Sequence, residues 1–432
     1  MEKEKKYNQP WRYALTMLGL SITGFMFTAY ATFFYNVRMG LSLQVIAFAT
    51  LLFALWDAFN DPCAGFLSDR TRTRFGRRRP WLLISVPLFM LSTVFFFSPP
   101  GALGTGTALA IYFTFFLMFT ETANTIASVN YHSLLPELFR ETEARNRANS
   151  IRQALQLVGM IIGVSMVPLV VEVVDYQITA VIMAVIGGSL VIFSVLGCKE
   201  REDFSEMPQP KLFDSFKAVA GNRDFWSVSV SHFFYQATTG LLLAGIPFFV
   251  RFALEQPDGM TAVLSGAVFV TAIPSMFVWY KLINRMGTLK VWRIALAWLG
   301  LSTVPMFFMD GLVTASLAGM LIGIGIAGVT ANLDMVNSEL IEADAAKNGV
   351  RREATFFACI SFVTRLSGLV RSGVFLLLFM IFAFESGDNP GPNPGDAARY
   401  VMVFFPAILM ALSFVASLFT RVGRVRVGDG EA

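Results

Sequence analysis

Histidine and cysteine are nearly absent from this chain of 432 residues: there are two of the first and three of the second. His132 and His232 are too few for a metal cluster. Cys63, Cys198 and Cys359 are scattered, and Cys63 and Cys359 fall in apolar runs, so no disulfide framework or metal-ligand spacing is present. Charge is scarce as well, at 15% of residues. The net charge of +4 is modest and its bases sit in loops between apolar runs, so a nucleic-acid partner is the poorer explanation. No nucleophile–base set, P-loop or metal motif stands among the charged residues, which argues against an enzyme.

Apolar surface is what the chain has in excess: 55% of residues are hydrophobic and 43 are phenylalanine. No soluble domain has that composition, whereas a polytopic helical membrane protein does. The charged, polar start from Met1 to Trp11 reads as no cleavable signal. Apolar runs long enough to span a bilayer recur, and they predict twelve transmembrane helices at about 12–36, 42–67, 81–98, 106–133, 147–173, 176–197, 225–252, 261–283, 291–309, 313–337, 355–384 and 398–421.

Basic residues set the orientation. They fill the loops after spans two (Arg70, Arg72, Arg74, Arg77, Arg78, Arg79), four (Arg140, Arg145, Arg147), eight (Arg285, Lys290) and ten (Lys347, Arg351, Arg352), and the tail from Arg421. The alternate loops are poor in base. Both termini are therefore expected in the cytoplasm, with the multi-pass chain in a bacterial inner (plasma) membrane. The basic turn through Gly76 recurs through Gly287, about half a chain later. The expected fold is all-α: two pseudo-symmetric six-helix bundles, residues 1–198 and 225–421. A cytoplasmic loop at 199–224 joins them and a tail at 422–432 follows, the layout of a major facilitator transporter.

The most informative stretch lies in span two, Trp56-Asp57-Ala58-Phe59-Asn60-Asp61-Pro62. Asp57 and Asp61 are four residues apart, on one helical face one turn apart. A carboxylate in hydrocarbon costs about 2.5–3.5 kcal/mol on insertion scales. Two of them, beside Asn60, need a compensating cation or proton, or else salt bridges to neighbouring helices.

This stretch, with Asp69-Arg70-Thr71-Arg72 and Gly76-Arg77-Arg78-Arg79-Pro80-Trp81, resembles the second-span signature of the glycoside–pentoside–hexuronide:cation symporters, the family of the melibiose carrier. Two further motifs fall in the family's order. One is Asn130-Tyr131-His132-Ser133-Leu134-Leu135-Pro136-Glu137-Leu138 with Arg145 and Arg152. The other is Asp334-Met335, Glu339, Glu342 and Gly349-Val350-Arg351-Arg352-Glu353 with Arg365. The resemblance implies that Asp57 and Asp61 bind the coupling cation, joined by Asn60 and a span-four threonine, Thr125. Carboxylate, amide and hydroxyl oxygens suit a small hard cation. Two carboxylates also suit a proton, since repulsion raises one pKa. Asn60 and Thr125, which a proton does not require, favour Na⁺ held by Asp57 and Asp61. No other cofactor is implied.

At the sugar site the chain departs from the melibiose carrier. The family's span-one aspartate falls at Leu20 or Ser21, its span-four aspartate at Ser128, and its stacking tryptophan at His132. The span-five arginine matches Arg152, with Gln153 under a one-residue shift, and the span-eleven lysine becomes Arg365. Glu121, two turns before Ser128, joins this surface or sits at its rim. A cavity that has lost two acids and kept two bases suits an anionic group: a hexuronide, a sulfonated sugar or a phosphate headgroup. Arg365 pairing with Asp57 or Asp61 in a gating role is the alternative. Glu137 and Glu353, with Arg78, Arg145 and Arg351, are expected to bridge the two halves at the cytoplasmic side. The expected function is cation-coupled symport of a polar glycoside or sugar acid by alternating access, through the lipid bilayer, with no oligomer required. A lysophospholipid symporter and a membrane sensor without flux are the rivals.

Overall fold

The computed structural model describes residues 9–71, 73, 75–139, 142–199, 219–348 and 353–421. A few side chains within helices, Asp61 and Glu353 among them, lie outside that description, as do Arg351 and Arg352 entirely.

The described chain is helical. In the first half the α-helices are α1 (Pro10–Phe33), α2 (Leu43–Arg70), α3 (Arg79–Phe96), α4 (Thr107–Leu138), α5 (Thr142–Ile161) and α6 (Val167–Gly197). The second half holds α7 (Arg223–Phe248), α8 (Thr261–Met286), α9 (Thr288–Thr303), α10 (Leu312–Asn348), α11 (Glu353–Arg365), α12 (Ser367–Phe382), α13 (Pro394–Arg399) and α14 (Phe405–Leu418). Among the described residues, ten helical segments are long and apolar enough to cross a membrane. One of them, Arg147–Gly197, runs for 51 residues, long enough for two crossings. The charged second span does not meet that measure as a whole; its apolar part is Leu43–Asp57.

The ends of these helices follow local chemistry. Ser42 caps α2, its hydroxyl accepting from the Val45 amide, and the Asn222 side chain accepts from the amides of Asp224 and Phe225 at the start of α7. Prolines open α1, α3 and α6, where their missing N–H costs nothing. The break expected near residue 175 is a single residue: Asp175 takes φ 71°, and its carboxylate accepts from the Tyr176 amide at 2.6 Å, restarting the helix. Span eleven breaks at Leu366, between α11 and α12. Four wide π turns also occur, at Phe34–Arg38, Ile162–Met166, Phe249–Ala253 and Tyr400–Phe404. Gly76 and Gly287, matched by the sequence repeat, both adopt positive φ (105° and 86°) just before α3 and α9. A side chain there would be strained.

Two compact units emerge. The first holds the described residues up to 199, with Pro257–Ala262 and Phe375–Pro392. In it α1 packs on α5 and α6, α2 on α4, and α3 on α4 and α6. Tyr13 and Tyr131 stack at 4.5 Å between ring centroids, and each hydroxyl donates to the other's backbone carbonyl at 3.2 Å, clamping α1 to α4. Where α1 meets α5, Gly159 and Gly163 let the backbones approach: a Cβ on Gly159 would press on Ser21 and one on Gly163 would strike the Ile22 carbonyl. The two later segments are tied in by backbone. The Leu43 amide and Asn36 Nδ2 donate to the Glu385 carbonyl, Gly387 N–H donates to the Asn36 carbonyl, and Gly259 N–H donates to the Glu172 carboxylate. In the second unit α7 packs on α14, where Ser231 and Ser413 hydroxyls bond at 2.9 Å, and α9 packs on α10 and α14.

Two expectations follow. Gly163→Ala should lower the melting temperature in detergent, because overpacking costs about 1–3 kcal/mol. Gly24→Ala, where nothing lies within 4 Å of the new methyl, should leave it unchanged. Cys198, just past the end of α6, is buried, which pushes its thiol up to about 11 against the opposing pull of the Arg79 and Arg12 guanidiniums. Thiolate is the reactive form. Maleimide at neutral pH should therefore spare Cys198 in the folded protein and label it after unfolding, as mass spectrometry would show.

Candidate functional site

The site begins on α2, whose residues 57 and 60 both turn inward. Asp57 and Asn60 are 7% and 5% exposed. α4 packs against this face and presents Thr125, 3% exposed, whose hydroxyl donates to Asp57 Oδ1 at 3.3 Å. Among the described residues, Asn60 Nδ2 is buried without a hydrogen-bond partner. A buried amide nitrogen without an acceptor is costly, and turning the amide over would offer its oxygen instead. The described donor set is thus a carboxylate, a hydroxyl and an amide, which are hard oxygen ligands of the kind a small alkali cation takes. The backbone of Asp61 continues α2 one turn on, its side chain lying outside the description.

On either side of Thr125 along α4 lie Glu121, one turn before, and Ser128 and His132 after. Glu121 is half-buried and accepts a long 3.4 Å bond from Asn124; Ser128 is half-buried, and His132 is exposed. Arg152, on α5, reaches His132: its Nη1 lies 2.7 Å from His132 Nδ1, and its Nε donates to Asn149 Oδ1 at 3.0 Å. An arginine nitrogen only donates, so His132 Nδ1 accepts, which makes the ring neutral with its proton on Nε2. The pair thereby offers donors from both partners. Asn149, three residues before Arg152 on the same helix, was missed from sequence, although the spacing was there to read. So was the 3.0 Å bond from the Trp56 indole to Thr122, which ties α2 to α4 next to Asp57 and one turn before Thr125.

Ser21 is not part of this surface. It is buried under Gly159 at the α1–α5 crossing, and its alternative, Leu20, is buried in the apolar core. The small glycine face that lets α5 approach is what closes off Ser21. Arg365 ends α11 in the second unit, half-buried. Glu137, expected to bridge the halves, is held inside the first unit, by Arg77 at 2.6 Å and by Arg78 at 3.6 Å. The reason is local: α3 and α4 pack together, so the turn before α3 lies beside the end of α4. Arg77, passed over in favour of Arg78, is the closer partner, while Arg78 is buried and also donates to the Ser68 hydroxyl. Arg145 is half-buried on α5, and Arg351 and the Glu353 side chain lie outside the described residues.

Comparison with known proteins agrees with this architecture. The isoprimeverose transporter of Lactiplantibacillus pentosus is 22% identical over 97% of this chain and 89% of its own. The glucuronide carrier protein homolog of Escherichia coli is 23% identical over 95% and 92%. The crystal structure of the nucleoside transporter NupG superposes with a TM-score of 0.68 over 95% of this chain and 98% of that one, at 12% identity, a likeness of fold alone. The family model for MFS/sugar transport proteins matches residues 12–424. The chain thus belongs to the MFS/sugar transport protein family, within the major facilitator superfamily, among the glycoside–pentoside–hexuronide type of symporter.

Proposed function

We propose that this protein is a twelve-span, Na⁺-coupled symporter of a polar glycoside or sugar acid, working by alternating access. The observation that carries the coupling half is the Asp57–Thr125 hydrogen bond beside the unpartnered Asn60 amide nitrogen. A bound Na⁺ would take oxygens from Asp57, Thr125 and Asn60, with Asp61 completing the shell. A proton needs only the carboxylate, so the buried hydroxyl and amide favour the metal cation. The cation would lift the desolvation cost of Asp57, and the α2–α4 contact would stiffen as it binds. Coupling then follows if substrate engages α4 and α5, because both ligands favour the same packed arrangement.

The substrate half rests on the Arg152–His132 pair. A guanidinium has five N–H donors, and two of its nitrogens are already engaged by Asn149 and His132. That fixes the plane of the fork and leaves further N–H groups to meet a carboxylate or sulfonate. Glu121 and Ser128 on α4 would accept from and donate to sugar hydroxyls. Both relatives named above are carriers of sugars or sugar acids by name, and this chain spans most of their length.

Uptake into vesicles should follow an imposed Na⁺ gradient at fixed pH; uptake driven equally well by a pH gradient alone would remove Na⁺ from the proposal. Thr125→Ala should raise the Na⁺ concentration for half-maximal uptake on the order of tenfold, the loss of one bond to a charged group. Arg152→Lys keeps the charge but not the fork. It should cut uptake of a glucuronide on the order of tenfold while leaving the Na⁺-dependent rise in melting temperature intact. If both readouts fell together, Arg152 would be a structural residue rather than a substrate ligand.

A further inference from the structure

Away from the transport site, three helix ends of the first unit share a corner. Trp11 and Arg12 open α1, Arg79 opens α3, and α6 finishes at Gly197. Arg12 lies over the Phe193 ring, its guanidinium carbon 4.6 Å from the centroid, and its Nη2 makes a long 3.4 Å bond to the Phe193 carbonyl. A Cβ on Gly197 would collide with the Arg12 guanidinium, so glycine is what lets that side chain lie across the end of α6. Arg79 Nε donates to the Val195 carbonyl at 3.1 Å, two residues before Gly197. Two guanidiniums therefore converge on the last turn of one helix.

The surroundings of Arg12 are not those of an ordinary salt-bridge site. Among the described residues Arg12 forms no ion pair, and its Nε is buried without a hydrogen-bond partner. Beside it Trp11, Phe193 and Leu196 are exposed, at 47%, 49% and 60%. Exposed indole and apolar side chains at the end of a membrane span mark headgroup depth. Positive charge with apolar surface alongside, at that depth, matches an amphiphile with an anionic head rather than a free anion, which would gain nothing from Phe193 and Leu196. Capping the α6 carbonyls accounts for one bond from each arginine. It leaves the remaining N–H groups of the two guanidiniums and the exposed apolar rim without a role.

We propose that Arg12 and Arg79, at the end of α6, bind the phosphate of an anionic phospholipid whose chains lie along Phe193 and Leu196. This lipid site uses none of the transport residues and stands whether or not the substrate reading does. Bound lipid would staple the ends of α1, α3 and α6 together, so it should stabilise the first unit.

Native mass spectrometry of the full chain in detergent tests it, with equal phosphatidylglycerol and phosphatidylcholine added. The wild type should retain phosphatidylglycerol over phosphatidylcholine on the order of tenfold, from two bases at the surface. R12Q/R79Q should lose that preference, whereas R285Q/K290Q, which removes the same charge from exposed positions in the second unit, should keep it. Gly197→Ala, which keeps both charges and displaces only the Arg12 guanidinium, should weaken the preference while the Arg79 bond to the Val195 carbonyl still caps α6. A preference that survives both R12Q/R79Q and G197A would overturn the site. An equal loss in R285Q/K290Q would reduce it to non-specific charge. Displacement of the lipid by millimolar inorganic phosphate would show a bare phosphate site and overturn the lipid assignment.

Discussion

A carboxylate inside an apolar helix is the constraint from which the rest of the first unit follows. Asp57 stands in α2 with hydrocarbon-type residues on either side, where an unanswered charge costs about 2.5–3.5 kcal/mol or more. Beside it stand a hydroxyl from Thr125 and an amide at Asn60 that is itself short of a partner. Because the Thr125 bond crosses from α4 to α2, the two helices must be held in register. The Trp56–Thr122 bond does this on the rim, as the reciprocal tyrosine pair does between α1 and α4.

The same logic governs the helix contacts. Lipid tails are as apolar as leucine, so burial alone does not drive helices together in a bilayer, and close approach with internal hydrogen bonds must do it. Gly159 and Gly163 give approach on one side of α1. Hydroxyls give bonds on α7 and α14, where Ser227 donates to the Ala416 carbonyl and Ser231 pairs with Ser413. Where no glycine seam closes a face, side chains stay open: His132 is exposed and Arg152 half-buried, whereas Ser21 is buried.

Much of this was legible in the sequence because its strongest signals are local. Apolar runs separated by basic turns mark helical segments, and the pairing of Gly76 with Gly287 by position is matched by their shared positive φ. Asp57, Asn60 and Thr125 could be named because a polar residue within an apolar span is conspicuous and the family pattern supplied their partnership. What stayed hidden depends on which helix lies next to which. Ser21 looked like a polar position in a span, and only the seat of Gly159 reveals that it faces backbone. Glu137 had several arginines to choose among, and the choice of Arg77 was set by the packing of α3 on α4. The break at Leu366 had no proline to announce it, and the wide turns carry no composition of their own.

Those wide turns change which way a helix faces. One follows α1 directly and another follows α7 directly, at Phe34 and Phe249. A π turn holds one residue more than the α-helical frame requires, and one residue is about 100° of rotation. The side chains beyond Phe34 and Phe249 therefore present a different face from the one an unbroken α-helix would have carried on, so the apolar stripe of α1 or α7 does not extrapolate past its end.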